Sequence, residues 1–211
     1  MKLFQPTYFS SIIQFSEIYK AAKIAFEFED NYIKQTYRNR CFICGANGKL
    51  MLNIPIIKNT LSRKTKDIEI DYLGSNWSMN HIKSLSTAYS SSPFYEYYED
   101  SILAIFEKKH KYLIDLNIDT YCFAMEVLQK PANYEKTREY KKETESSESD
   151  YRKLSDAKKQ GRLNLPRYFQ CFETKNGFIE NLSILDLIFS EGPSSYQYLE
   201  QIAEKKTLTS L

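Results

Sequence analysis

The pattern of apolar and polar positions changes period along the chain, and each change marks an element. Residues 1–4 are a short apolar strand that breaks at Gln5-Pro6. Over residues 8–22, Ile12, Phe15, Ile18 and Tyr19, with Ala22 one turn on, recur at helical spacing. KIAFEFED then alternates, which puts Ile24, Phe26 and Phe28 on one side of a second strand. Strand, helix and strand in succession make a βαβ unit, so the chain is expected to start as an α/β sheet with a right-handed crossover.

Two further strands are predicted at residues 35–44 and 49–56. Asn47-Gly48 is a two-residue hairpin signal, because both central positions of such a turn need positive φ. Period-two geometry places Lys34, Arg38 and Arg40 on one face, and Tyr37, Asn39, Cys41 and Ile43 on the other. Cations stacked on a strand repel unless an anion or a set of carboxylates faces them, and the guanidinium fork suits both. Two outcomes are open. Either the face holds a bound anion, or DIEIDY supplies Asp67, Glu69 and Asp71 as a cross-strand charge ladder, with Ile68, Ile70 and Tyr72 turned away.

After Gly74, helical periods dominate. Ser78 is placed as the cap of a helix that buries Ile82, Leu85 and Tyr89, with His81 beside that stripe. Ser92-Pro93 opens the next helix, in which Phe94, Tyr98, Ile102 and Ile105 repeat. A third covers residues 118–129, with Tyr121, Cys122, Met125 and Leu128 inward. Residues 133–161 are mixed charge with serines and almost no aliphatic side chains, too little apolar area to offset ordering, so a flexible, solvated excursion is expected. LPRYFQCFE reads as a strand, residues 182–189 as a short helix capped by Asn181, and Gly192-Pro193 as the start of a last helix with Tyr198 and Ile202 inward. The expected architecture is one α/β domain over residues 1–211: a βαβ start, a mixed sheet with a β-hairpin, then a helical half.

Composition narrows the function classes. Lys+Arg 29 against Asp+Glu 27 leaves no net field for nucleic acid, and the aromatic residues are spaced for a core, not for stacking bases. No segment approaches the roughly twenty consecutive apolar residues of a membrane helix. MKLFQPTYF lacks the features of a signal peptide, so a cytoplasmic protein with reduced thiols is expected. Cys41-x-x-Cys44 has no second closely spaced pair, and its thiols fall on opposite strand faces, so neither a metal nor a cofactor is expected.

Three further stretches carry candidate chemistry. QPTYF lies beyond the carboxyl end of the first strand, where α/β sheets bind ligands, which makes Gln5 and Tyr8 candidates for substrate contact or for core. His81 near a helix N-terminus has its pKa lowered by the dipole, which suits a neutral general base; the alternative is a partly exposed histidine bonded to a carboxylate. Asp186 shares a polar face with Ser183 in the otherwise apolar NLSILDLIF, and is either satisfied by a local partner or part of a site.

The run Lys34-Gln35-Thr36-Tyr37-Arg38-Asn39-Arg40, the Asn47-Gly48 hairpin, NHIKSLSTAYSSSPFYEYYED and GFIENLSILDLIFSEGP together resemble the WbqC-like protein family. The resemblance covers nearly all of the chain outside the charged segment. It implies a bacterial protein associated with surface-polysaccharide (O-antigen) genes and a transferase role. On that reading Gln5, Tyr8, Lys34, Arg38, Asn39 and Arg40 bind a small anionic substrate such as a nucleotide-activated sugar, His81 accepts a proton, and Asp186 orients it. With no recognisable nucleophile motif, transfer of an acyl or aminoacyl group would be direct. The alternative is a non-catalytic module that docks an acidic partner through its basic strand. A concave pocket joining Arg38, Arg40 and His81 favours the enzyme, and a flat or convex face favours docking.

Overall fold

A computed structural model describes residues 1–57, 62–142, 149–156 and 163–209, with the side chains of the last helix as far as Ile202. The architecture is mixed α/β: a parallel sheet, a separate antiparallel hairpin, and helices mostly in the C-terminal half. The βαβ start forms, with β1 (Lys2–Phe4) and β2 (Ile24–Phe26) parallel and α1 (Ile12–Tyr19) between them. The helix begins at Ile12, not at Tyr8, because Phe9 takes a positive φ of 38° and Ser11 caps, its side chain accepting from the Gln14 N–H. Asn181, expected to cap a later helix, instead accepts the Ile13 N–H (3.0 Å) at this N-terminus.

A third parallel strand comes from the segment expected to be solvated. β5 (Glu135–Lys136) pairs with β2, Ala25 opposite Glu135. Here charge supplies what apolar area does not. Arg152 reaches the buried Glu27 carboxylate (3.3 Å) and Asp150 (2.6 Å), and donates to the carbonyls of Lys141 (2.9 Å) and Lys142 (3.2 Å). Tyr151 stacks on Phe4 with ring centroids 5.2 Å apart. Residues 143–148 and 157–161 of that segment, like residues 58–61 of the basic loop, lie outside the described residues.

The hairpin of β3 (Arg40–Gly45) and β4 (Gly48–Asn53) pairs Cys41 with Leu52. Its turn is Ala46-Asn47, and the positive φ falls on Gly48 alone, at 100°, the pattern of a tight turn followed by a left-handed glycine. β3 does not extend back to Gln35. That residue adopts φ 62°, so residues 34–39 turn where an alternating strand was predicted. DIEIDY keeps its alternation, with Ile68 and Ile70 buried, but only through single bridges of Ile70 to Ile56 and Glu69 to Tyr112.

The helices are α2 (Trp77–Tyr89), α3 (Tyr95–Glu107), α4 (Leu113–Val127), α5 (Glu173–Asn176), α6 (Ile184–Glu191) and α7 (Ser195–Thr209). Asn76 is the N-cap of α2, which puts Ser78 inside it, and α4 starts at Leu113, before the predicted residue 118. Ser183, not Asn181, caps α6 by accepting the Leu185 N–H (3.2 Å). LPRYFQCFE forms no strand and leads into α5. Every residue of α1 is buried, since α7, α6 and the helical turn Arg152–Ser155 pack on it.

Candidate functional site

Beyond the carboxyl end of β2 the chain turns away and pairs with a second strip. Asn31 bridges Lys64, and the Tyr32 N–H donates to the Arg63 carbonyl (2.8 Å). After β4, residues 54–57 are tied in the same way: the Ile57 N–H donates to Glu69 O (3.0 Å) and the Asp71 N–H to Pro55 O (3.0 Å). These strips line a cleft of about 1030 Å³. Its polar lining is Tyr32, Lys34, Asn39, Arg40, Asn53 and Arg63, and its apolar lining is chiefly Ile33, Ile54, Ile56, Ile57 and Ile68. The region outside the carboxyl ends of parallel strands is where α/β sheets place ligands.

The cleft is cationic. Among the described residues none of Lys34, Arg40 and Arg63 forms an ion pair, and Arg40 Nε is buried with no hydrogen-bond partner. Asp71 is the one acidic lining residue, and its Oδ1 already accepts the backbone N–H groups of Leu73 (2.9 Å) and Gly74 (3.0 Å). Burial pushes the Tyr32 phenol up to about 12, against the opposing pull of the Arg38 and Arg40 guanidiniums. The charge ladder that could have neutralised the arginines is not formed. Asp67 accepts from Ser62 (2.6 Å), Glu69 pairs with Lys111 (3.4 Å), and Asp71 holds its own turn.

Arg38 faces the other way. It is 2 % exposed, and its Nη2 meets Asp30 Oδ2 at 2.6 Å. The same carboxylate accepts from Gln5 Nε2 (2.8 Å) and Thr65 Oγ1 (2.6 Å), and the Arg38 carbonyl accepts from Asn117 Nδ2 (2.9 Å). Gln5 therefore belongs to a buried polar layer that fixes the stretch entering the cleft. Its backbone carbonyl is used as well, by Gln14 Nε2 at 2.8 Å. A loop so deeply buried needs partners for most of its polar groups; Gln5 Oε1, Arg38 Nε and Asn117 Oδ1 are buried without one.

His81 does not lie beside the inward stripe of α2; it is part of it, with Trp77, Leu85 and Ala88, and is 4 % exposed. Its Nδ1 is 3.0 Å from the Tyr8 hydroxyl, and it also makes a backbone hydrogen bond at Asn53. Burial, not the helix dipole, pulls its pKa down to about 4. The imidazole is thus neutral as expected, but it meets the cleft only through the backbone of Asn53, whose side chain is part of the lining. Tyr8 is fully buried with it.

Asp186 is elsewhere. It accepts from the hydroxyls of Tyr89 (2.5 Å) and Tyr168 and from Gln170 Nε2 (3.1 Å), and burial pushes its carboxyl up. Tyr89 is eight residues beyond His81 on α2, about 12 Å of helix rise, so the carboxylate sits at the far end of that helix and does not orient the histidine. The structure thus brings Lys34, Asn39 and Arg40 to one cleft, puts Arg38 and Gln5 in the layer around Asp30, pairs Tyr8 with His81, and leaves Asp186 apart.

Tyr32, Asn53, Arg63 and the isoleucines other than Ile68 were not singled out by the sequence, and Asp71 was expected only as a rung of the charge ladder. Arg63 sits in a visibly basic loop, but nothing in its spacing aligns it with Arg40. Cys41 and Cys44 are both buried on β3, and burial raises both thiols. Among the described residues no three His, Cys, Asp or Glu side chains converge as metal ligands, and no helix is long and apolar enough to cross a membrane.

No curated protein and no solved structure matches the chain. The sequence pattern of one family does, over residues 5–164, a span that holds every residue lining the cleft as well as Arg38, Gln5, Tyr8 and His81. On that match the chain belongs to the WbqC-like protein family.

Proposed function

We propose that the cleft binds the phosphate groups of a nucleotide-activated sugar and that the protein is a group transferase, delivering an acyl or aminoacyl group to that sugar. One observation carries the reading: Lys34, Arg40 and Arg63 line a single concave site without forming ion pairs among the described residues. Like charges gathered in this way repel until an anion joins them, and guanidinium groups suit phosphate oxygens bidentately. The volume, about 1030 Å³, matches the upper range of small-molecule sites. The surface-polysaccharide context implied by the family resemblance supplies the sugar.

The roles differ from those expected from the sequence. Arg40 and Arg63, with Lys34 at the rim, hold phosphate, and the Asn53 side-chain amide, whose Oδ1 accepts from Asn39 Nδ2 (3.2 Å), is within the lining to meet sugar hydroxyls. Asp71, as the acidic lining residue, takes the proton from the attacking hydroxyl or amine, a role that His81 cannot fill from behind the wall. Concavity speaks against the alternative of a flat docking face for an acidic protein.

Thermal shift of the wild type and Arg40→Ala with a panel of nucleotide sugars tests the reading. Ligand at a hundred times its Kd should stabilise the wild type by about 2.7 kcal/mol and leave the variant unmoved. A wild type that answers to no phosphate-bearing ligand removes the proposal.

A further inference from the structure

An anion accounts for only part of the cleft. Ile33, Ile54, Pro55, Ile56, Ile57 and Ile68 supply its apolar lining. Ile54 and Ile68 are buried, but Ile33 is 59 % and Ile57 is 41 % exposed. Such side chains gain from being covered, at roughly 25 cal/mol for each Å² removed from water. Their placement is specific. The turn that follows β2 is held by a bond from Thr36 Oγ1 to the Ile33 carbonyl (3.0 Å) and by the left-handed Gln35, and it presents Ile33 and Lys34 as adjacent lining residues. The strip after β4 does the same with Asn53 and residues 54–57. Phosphate and sugar hydroxyls make no use of these isoleucines.

We infer that the cleft takes an amphipathic ligand: an organic phosphate whose head lies on Lys34, Arg40 and Arg63 and whose aliphatic chain lies on the isoleucines. The inference rests on the anion reading above and adds the chemical class of the ligand's other half. The chain then belongs to the molecule that brings the transferred group, or to a carrier of the sugar, rather than to the sugar ring itself.

The experiment is a chain-length series. Inorganic phosphate, butyl, hexyl and octyl phosphate are titrated into the protein below their micelle concentrations, with octanol as the control that lacks a head. Affinity should rise about fourfold for each methylene that is seated. Ile33→Asn and Ile57→Asn, both at exposed positions, should flatten that slope while inorganic phosphate still binds; two variants guard against one that misfolds. Octyl phosphate binding no tighter than inorganic phosphate overturns the inference and leaves the anion reading standing, whereas loss of binding for every phosphate overturns both. Co-sedimentation with phosphatidylcholine vesicles carrying phosphatidic acid then identifies the source. Retention on the vesicles supports a chain-bearing lipid, and a chain-length slope without retention supports a soluble phosphate ester.

Discussion

The polar layer around Asp30 and the cleft beside it use similar side chains and treat charge in opposite ways. In the layer, Arg38 is closed off by Asp30, Thr36 and the surrounding fold, and Asp30 is in turn filled by Gln5 and Thr65. In the cleft, Arg40, two residues on, has no carboxylate partner among the described residues, whereas the Nε of both arginines is buried without a hydrogen bond. A buried ion pair adds rigidity but offers no net charge to a ligand. A guanidinium without a carboxylate at a concave surface does the reverse. The layer holds residues 30–38 in place, while among the described residues the cleft's cations form no ion pair and the Oδ1 of Asp71 in its lining accepts from its own turn.

Removing the layer's arginine should have the largest effect. Arg38→Ala leaves the Asp30 carboxylate buried without its cation, and breaking a buried pair in this way costs about 3–5 kcal/mol. Urea denaturation measures it. A loss under about 1 kcal/mol would mean that the Arg38–Asp30 pair contributes no more than the unpaired cations of the cleft, and the comparison would break.

The Tyr8–His81 pair gives a pH signature of the same wall. A histidine whose pKa is about 4 when folded and near 6.5 when unfolded binds its proton less well in the native state. Its stabilising contribution is therefore complete above about pH 6.5 and falls as pH drops toward 4, by roughly 3 kcal/mol in all. Asp186, whose carboxyl is raised by burial, has the opposite sign, so the test is a difference. Stability of the wild type minus that of His81→Gln should fall across this window; a flat difference would show that His81 is hydrated and open to the cleft.

Arg152 repeats the layer's logic at the sheet. Arg152→Ala should cost about 2 kcal/mol, the range for hydrogen bonds to a buried charged group, because Glu27 loses its cation. Loss of amide-exchange protection in β5 should accompany it, since Thr137, next to that strand, donates to the same Glu27 carboxylate (2.8 Å). Retained protection would assign β5 to packing instead.

The smallest effect on stability belongs to the cleft. Arg40→Ala should change the unfolding free energy by less than about 0.5 kcal/mol, or raise it, because like-charge repulsion is relieved and no ion pair is lost. A destabilisation above about 1 kcal/mol would make Arg40 a structural residue like Arg38.

Local rules carried as far as they are local. Helical periods located α2 and α3 within a few residues, because side chains three and four apart share a face whatever the tertiary surroundings. The hairpin was legible from Asn47-Gly48, although its turn lies one residue earlier. The face of α2 was misread by one position. Taking Ser78 as cap left Trp77, one turn before His81, ahead of the helix, so the spacing Trp77, His81, Leu85 was not read as the buried stripe.

By itself, the sequence determined the βαβ start, the hairpin, most of the longer helices, the family, and a concentration of cations between residues 34 and 40. Which of those cations would meet a carboxylate was a tertiary decision. Strand alternation gave Arg38 and Arg40 one face, and the left-handed Gln35 ended that alternation before it began. Asp30 could then claim Arg38 from eight residues away, while Arg63, 23 residues beyond Arg40, came to line the cleft with it. β5 came from a pairing across 110 residues, Ala25 opposite Glu135, with Thr137 Oγ1 donating to the Glu27 carboxylate (2.8 Å). Periodicity records which side chains share an element's face. It carries no information about which distant carboxylate arrives there, because that is set by how loops close and which buried charges must be paired.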